Sequence, residues 1–410
     1  MKTVALVATA LLAGCATVPS TPPPAAGNYA WATFDGRGIE RSGASGLADR
    51  ASGRALTIDD PVRIASITKL HVALGVMRLV EQGKLDLDRD VSDYLGWRLR
   101  NPNFPDTPIT LRLLLSHRSS LTDGIDYALP VDTTIERAVA DPKAWETAHA
   151  PGSFFHYTNL NFPVIATVIE RATEERFDRL MQRLVLTPLG LDACFNWTTC
   201  SDTTVARAVV LYAPDGKPVK DDLQGRRPAC PVVAGADGSC AWETVPLGTN
   251  GALFSPQGGL RISVRDMARV GAMLLRDGRL PDGTIFLKPE SLAEMRKLHW
   301  RFDGTNGETE QNFYCGYGLA IQILAQCPPS DDPFGDGRTR IGHAGDAYGL
   351  RSGLWIDRAT GRGIAYFATG LGDDPPKGQS SYRAVEEWLA AKLTPDDRRF
   401  RARTEAEPAR

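Results

Sequence analysis

A chain of 410 residues, 42% apolar and 23% charged, can bury a large core and has the ordinary balance of a globular enzyme with two lobes. Its formal net charge of −2, without any Lys/Arg-rich run, argues against a nucleic-acid partner.

In chain order, Lys2 precedes an apolar run from Val4 to Leu12, too short to span a bilayer and suited to a signal-peptide core. Leu12-Ala13-Gly14-Cys15 then sets small residues directly before a cysteine and resembles a bacterial lipoprotein cleavage box. That resemblance implies an exported protein facing the periplasm, touching the membrane only through acyl chains on Cys15. Residues 16–27, rich in Pro and Ala, read as an extended tether rising about 3 Å per residue.

Strand signals follow in Tyr29–Phe34, a turn at Gly36-Arg37-Gly38, and shorter segments ending at Ile64. Leu70, Leu74, Met77 and Val80 predict a helix to Gln82, with Gly83 as its stop. From about 90 to 190 helices and loops alternate, the clearer helices being Thr110–Ser116 and Phe162–Leu186. Residues 198–255 read as a long Pro- and Gly-rich loop. Strands return at Leu319–Leu324, Ser352–Asp357 and Gly363–Thr369, the last two joined by a turn at Ala359-Thr360-Gly361. Ser381–Leu393 is an amphipathic helix, and 396–410 a polar tail predicted to be disordered. Strands at both ends and helices between predict a split α/β lobe from 28–90 and 255–395, a mainly helical lobe from 91–254, and a cleft at their junction.

Apart from Cys15, the cysteines form close pairs, Cys194/Cys200, Cys230/Cys240 and Cys315/Cys327. Under oxidising export, nearest-neighbour disulfides are the simplest arrangement, and the spacings lack a zinc pattern. Neither metal nor cofactor is expected.

The chemistry begins at Ala65-Ser66-Ile67-Thr68-Lys69. Residues three apart share a helix face, so the Ser66 hydroxyl and the Lys69 amine can meet. A partly desolvated lysine loses its proton more readily and can activate a serine. A lone Ser-x-x-Lys arises by chance about once in a chain of this length, so its company decides. Tyr157-Thr158-Asn159 supplies a phenol, expected to have a lowered pKa beside a lysine, and an amide able to bind substrate. Gly342-His343-Ala344-Gly345-Asp346 could open a strand whose Gly345 lets a substrate approach the backbone edge.

Ser-x-x-Lys, then Tyr-x-Asn, then Lys- or His-x-Gly, in that order, resembles the signature of penicillin-recognising serine hydrolases. The nearest branch is the class C β-lactamase group, with its D,D-peptidases, D-aminopeptidases and family VIII esterases. Gly46-Leu47-Ala48-Asp49, Leu114-Leu115-Ser116-His117, Pro188-Leu189-Gly190-Leu191 and Gly258-Gly259-Leu260 extend the likeness over about 28–395. The resemblance implies an α+β, β-lactamase/transpeptidase-like fold: an antiparallel sheet flanked by helices with an inserted mainly helical lobe. It also implies Ser66 as the acylated nucleophile, with Lys69 and Tyr157 sharing proton transfer. Asn159 and His343 would contact substrate, and the backbone N–H groups of Ser66 and Asp346, beside Gly345, would form an oxyanion hole. The expected substrate is a small ester or a peptide-like amide. A β-lactamase or D-Ala-D-Ala carboxypeptidase is the alternative, and a non-catalytic lipid-anchored sensor belongs to another class.

Three departures bear on substrate choice. Position 343 carries histidine where most β-lactamases of this branch have lysine. Ala344 replaces a hydroxyl residue, and Ser120 replaces the glycine of a His-x-Ser-Gly-Leu pattern. Strand alternation puts Asp346 on the Ala344 face, where it would repel a substrate carboxylate unless Arg351 cancels its charge.

Changing Cys15→Ser should leave turnover intact and release the protein from the membrane fraction. Retention after a carbonate wash would refute the lipoprotein expectation.

Overall fold

The computed structural model describes residues 27–372 and 374–393; Cys15 with the leader, the tether up to Ala26, and the 396–410 tail lie outside the described residues. Alternating apolar residues form β1 (Asn28–Asp35), followed by β2 (Gly38–Ser45). Ala30, Ala32 and Phe34 turn to one face, Tyr29 and Trp31 to the other. The distal part of the chain supplies β3 (Trp300–Arg301), β4 (Gly316–Tyr317), β5 (Gln322–Ile323), β6 (Ile341–Ala347), β7 (Leu350–Asp357) and β8 (Arg362–Thr369). All pair antiparallel in one eight-stranded sheet, ordered β3-β4-β5-β6-β7-β8-β1-β2. The two ends of the chain therefore meet in mid-sheet, with Asn28 opposite Thr369.

Four helices frame the site: α1 (Ile67–Glu81), α2 (Asn161–Thr173), α3 (Val264–Leu275) and α4 (Ala384–Ala390). Both α1 and α3 pack on the sheet face carrying Leu354, Ile356 and Phe367, while α4 covers the face carrying Trp355 and Tyr366. Helix α1 is buried on nearly every side, from Ile67 through Met77, which marks it as a core helix between the sheet and the helical lobe. The fold is α+β, an antiparallel sheet flanked by helices. The cysteines form three disulfides, Cys194–Cys200, Cys230–Cys240 and Cys315–Cys327. Asp331 lies beside the last pair, whose sulfurs, bonded to each other, have no thiolate to offer a metal.

Three elements differ from expectation. The helix expected over Phe162–Leu186 is broken: α2 ends at Glu174 with φ +55, a short helix restarts at Phe177–Met181, and a π-turn follows over Gln182–Leu186. The buried Glu170 carboxylate stabilises the break by accepting the Phe177 and Gly248 N–H groups, both at 2.9 Å. The apolar periodicity hides the break because every piece faces one core. Of Leu319–Leu324, only Gln322–Ile323 is strand, because Ala320 turns with φ +51 and its N–H bonds the Leu115 carbonyl of the helical lobe. The 198–255 loop contains a short helix, Asp202–Ala206, and a small hairpin of Leu211–Tyr212 with Pro218–Lys220.

Helix α3 approaches β1 so closely that a Cβ on Gly271 would sit 2.1 Å from the Phe34 ring. Gly271→Ala should destabilise the protein by about 1–3 kcal/mol through overpacking, read as a lower Tm. An unchanged Tm would show that the interface yields freely.

Candidate active site

A three-stranded ribbon delivers the nucleophile. Val62–Arg63 pairs with Leu260–Ile262, which also pairs with Cys194–Phe195, so the ribbon joins three segments far apart in the sequence. Ala65 then turns with φ +49, and Ser66 begins α1. An N-cap serine usually accepts a bond from its own helix, but the Ser66 side chain makes no capping bond. Its hydroxyl lies 2.9 Å from Lys69 Nζ.

Lys69 is fully buried, with two further acceptors around its amine: Asn159 Oδ1 at 2.8 Å and the Gln257 carbonyl at 2.9 Å. Asp123 fixes the Asn159 amide. Its carboxylate accepts Asn159 Nδ2 at 2.9 Å and the Asn159 and Leu160 N–H groups at 3.0 Å, so Oδ1 must face the lysine. Burial pulls the Lys69 pKa down to about 7, against the opposing pull of Asp123 and Glu310. As an ammonium, Lys69 donates to all three neighbours. After losing one proton it still donates to Asn159 Oδ1 and the Gln257 carbonyl, which can only accept. The Ser66 hydroxyl is the neighbour able to reverse, donating its proton to the nitrogen lone pair. This is the geometry of a serine activated by a neutral amine.

Tyr157 packs between the rings of His117 at 4.3 Å and Tyr314 at 4.6 Å, with Lys69 Nζ 5.0 Å from its own centroid. The expectation of a lowered phenol pKa is corrected here. Burial pushes it well up, outweighing the nearby Ser66 and Tyr314 hydroxyls, while its hydroxyl has no well-formed hydrogen bond. Tyr157 is a neutral phenol, able to pass a proton but not to start as a base. His117 braces the loop, accepting the Thr158 N–H at 3.0 Å on Nδ1. Ser120, at the family's glycine position, keeps the left-handed φ of +65 and bonds Asn101 at 3.1 Å through its hydroxyl.

The third motif lies on β6. Gly345 is required by contact: a Cβ there would meet the Ile64 carbonyl at 2.4 Å, directly before the nucleophile's turn. Pairing of β5 with β6 reaches only Gly342, so from Ala344 to Ala347 the edge borders the cleft without a covering strand. His343 does not contact the cleft as expected. It is fully buried, bonds the Tyr317 hydroxyl at 2.7 Å, and is held neutral by burial and then Lys69, its pKa pushed down to about 3. The expected repulsion by Asp346 is also corrected, because Arg351 lies opposite it in register and forms an ion pair with it.

Ser66, Tyr157, Asn159, Gly345 and Asp346 border one cleft of about 760 Å³, and Lys69 lies beneath it. Sequence reasoning missed Asp123, Gln257, Tyr314 and Tyr317. Gln257 adjoins the Gly258-Gly259 pair, which was a usable signal. A backbone carbonyl acting as acceptor left none, and neither did the solitary Asp123.

Fold and site together define a serine hydrolase of the active-site Ser-x-x-Lys type. The Beta-lactamase family model matches residues 24–386, and the chain belongs to that family. It is 29% identical over 344 residues to Esterase EstB of Burkholderia gladioli, covering 78% of this chain and 80% of that one. Among solved structures it is similar to EstCE1, a hydrolase with promiscuous acyltransferase activity, at TM-score 0.65 and 22% identity over 89% of this chain and 93% of that one. It is also similar to the D-amino acid amidase of Ochrobactrum anthropi SV3, at TM-score 0.60 and 23% identity over 93% and 95% of the two chains.

Because burial disfavours the ammonium, the active neutral amine of Lys69 is gained as pH rises through about 7. The profile of kcat/KM should climb on the acid side and level off above that pH. Glu386, also on the cleft, is pushed up to about 7 by burial, so the limb must survive in Glu386→Gln. His117 and His343 are held well below that range. A flat profile from pH 5 to 9 would count against Lys69 as the base.

Proposed function

We propose that this serine hydrolase works through an acyl-enzyme on carboxylic esters and on amide bonds of small peptide-like substrates. The observation that carries the reading is the Ser66–Lys69 hydrogen bond, whose direction reverses when the amine is neutral. Neutral Lys69 takes the Ser66 proton as Oγ attacks the substrate carbonyl. The oxyanion faces the backbone N–H groups of Ser66 and Asp346. As the intermediate collapses, the Lys69 ammonium returns its proton to the leaving group, with Tyr157 as the relay. Water then attacks the acyl carbon and gives its proton to Lys69, which passes it to Ser66 Oγ as the acyl carbon–Oγ bond breaks and the free acid leaves. Similarity to an esterase supports the ester side of the proposal. The β6 edge offers little to a carboxylate held beside the reacting carbonyl, as in β-lactams, since it presents Ala344, a neutral buried His343 and an arginine already paired with Asp346. Anchoring through Cys15 would set the enzyme on a membrane facing the periplasm.

A fluorophosphonate should label Ser66, and a short-chain ester should outrun nitrocefin in kcat/KM on one preparation. Ser66→Ala and Lys69→Ala should each lower kcat on the order of 10³-fold, and the double variant little more, because they act as one unit. Asp346→Ser, which frees Arg351 while keeping the backbone N–H, should raise the nitrocefin-to-ester ratio. Wild-type preference for nitrocefin or D-alanyl-D-alanine would support the β-lactamase or carboxypeptidase alternative.

A further inference from the structure

Beside the cleft lies a second cavity of about 690 Å³, which shares Arg63, Tyr127, Gln257 and Tyr348 with it. Its floor is charged. Arg261 and Asp221 are buried and paired at 2.8 Å. Arg261 also donates to the Gly259 carbonyl at 2.6 Å, and Trp197 Nε1 donates to the same Asp221 oxygen at 2.8 Å. Arg63 is far less well matched. A guanidinium carries five N–H donors, yet among the described residues Arg63 makes one hydrogen bond, to the Gly258 carbonyl at 3.0 Å. Its Nε is buried without a partner, and the nearest oxygen of Asp221, also unpartnered, is 3.9 Å away. Arg63 is only 6% exposed, so water cannot freely make up the deficit.

The other cleft arginines differ. Arg351 is paired with Asp346, and Arg383 with Asp374 at 2.6 Å. Two buried guanidiniums against one buried carboxylate leave an excess positive charge under the second cavity. Asp126, Asp222 and Lys220 stand exposed on its walls, where water and salt weaken them. Burial and the neighbouring Arg261 lower the Arg63 pKa only to about 10, so it remains a cation at neutral pH. The Tyr348 ring overhangs the site, 5.3 Å from the Arg63 guanidinium and 5.7 Å from Lys220 Nζ.

We propose that this second cavity is a subsite for a carboxylate on the substrate, anchored by Arg63, so that the enzyme prefers esters or amides carrying an anionic group on a short chain. The proposal rests on the hydrolase reading above and adds a substrate class to it. Arg63 lies three residues before Ser66 on the segment that delivers the nucleophile, so one stretch of backbone fixes both the anchor and the reacting atom. The planar fork of a guanidinium matches the two oxygens of a carboxylate.

The test compares p-nitrophenyl monoesters of adipic and pimelic acid with the hexanoate and heptanoate, and 4-acetoxybenzoate with phenyl acetate. At least one anionic member should exceed its neutral partner roughly tenfold in kcat/KM, a preference that falls with added salt. Arg63→Gln should bring that ratio close to one, and Arg63→Lys, which keeps the charge but not the fork, should give an intermediate ratio. If Arg63→Gln does not fold, Lys220→Gln on the cavity wall should still reduce the ratio about two- to threefold. Neutral preference in every pair, or a ratio unmoved by these changes, overturns the subsite. Calorimetric titration with adipate gives a readout independent of turnover, with affinity expected to fall at least tenfold in Arg63→Gln. If Ser66 goes unlabelled and no substrate turns over, the hydrolase reading fails, while adipate affinity still decides the subsite. Adipate that fails to bind the wild type, or binds both proteins alike, refutes it.

Discussion

A lysine amine sealed from water and surrounded by three oxygen atoms is the arrangement on which the site depends. Moving the Lys69 pKa from 10.5 to about 7 corresponds to roughly 5 kcal/mol disfavouring the ammonium. Carboxylates at Asp123 and Glu310 work against that shift, so burial must be nearly complete to prevail. Helix α1 secures it by lying in the core on almost every side, with Lys69 itself buried. The three acceptors then determine what a proton can do. Two of them cannot donate, so the Ser66 hydroxyl is the one neighbour able to give a neutral amine a proton.

Other features of the site serve this arrangement. Asp123 sets the direction of the Asn159 amide, without which Lys69 would face an N–H group. Gly345 lets β6 approach the turn at Ala65, bringing a strand edge beside the hydroxyl. His117 and Tyr314 clamp the Tyr157 ring, limiting where its hydroxyl can go. His343 is uncharged, held so by burial and by the Lys69 charge nearby. Its bond to Tyr317 holds it behind the strand, so the third motif here shapes the edge without supplying charge.

Much of this was legible in the sequence because it rests on local spacing. Ser66 and Lys69 share a face on any helix, and β1, β7 and β8 announce themselves as short apolar runs bounded by turn residues. The less legible features depend on contacts across the fold. Phe162–Leu186 keeps its apolar period through a break, because the break is held by Glu170 reaching Phe177 and Gly248. Leu319–Leu324 has strand composition, yet half of it turns to bond the helical lobe. The phenol of Tyr157 was expected to follow its lysine neighbour, but desolvation outweighs that attraction. The charge of Asp346 was visible, whereas its cancellation by Arg351 required the β6–β7 register.

That register also redistributes charge across the cleft. A strand edge with a cation and a hydroxyl beside the oxyanion site would hold a carboxylate close to the scissile bond. Here the hydroxyl position is Ala344, the histidine is neutral, and Arg351 answers to Asp346. Arg383 is held in the same way by Asp374. Arg63 remains, its nearest carboxylate oxygen beyond hydrogen-bond distance at 3.9 Å, because Asp221 is bonded by Arg261 and Trp197. A buried guanidinium with unmatched donors is costly unless something meets it. Its position places that demand in the second cavity, away from the β6 edge. One fold can thus keep its serine chemistry while shifting anion recognition from the strand edge to the segment that carries the nucleophile.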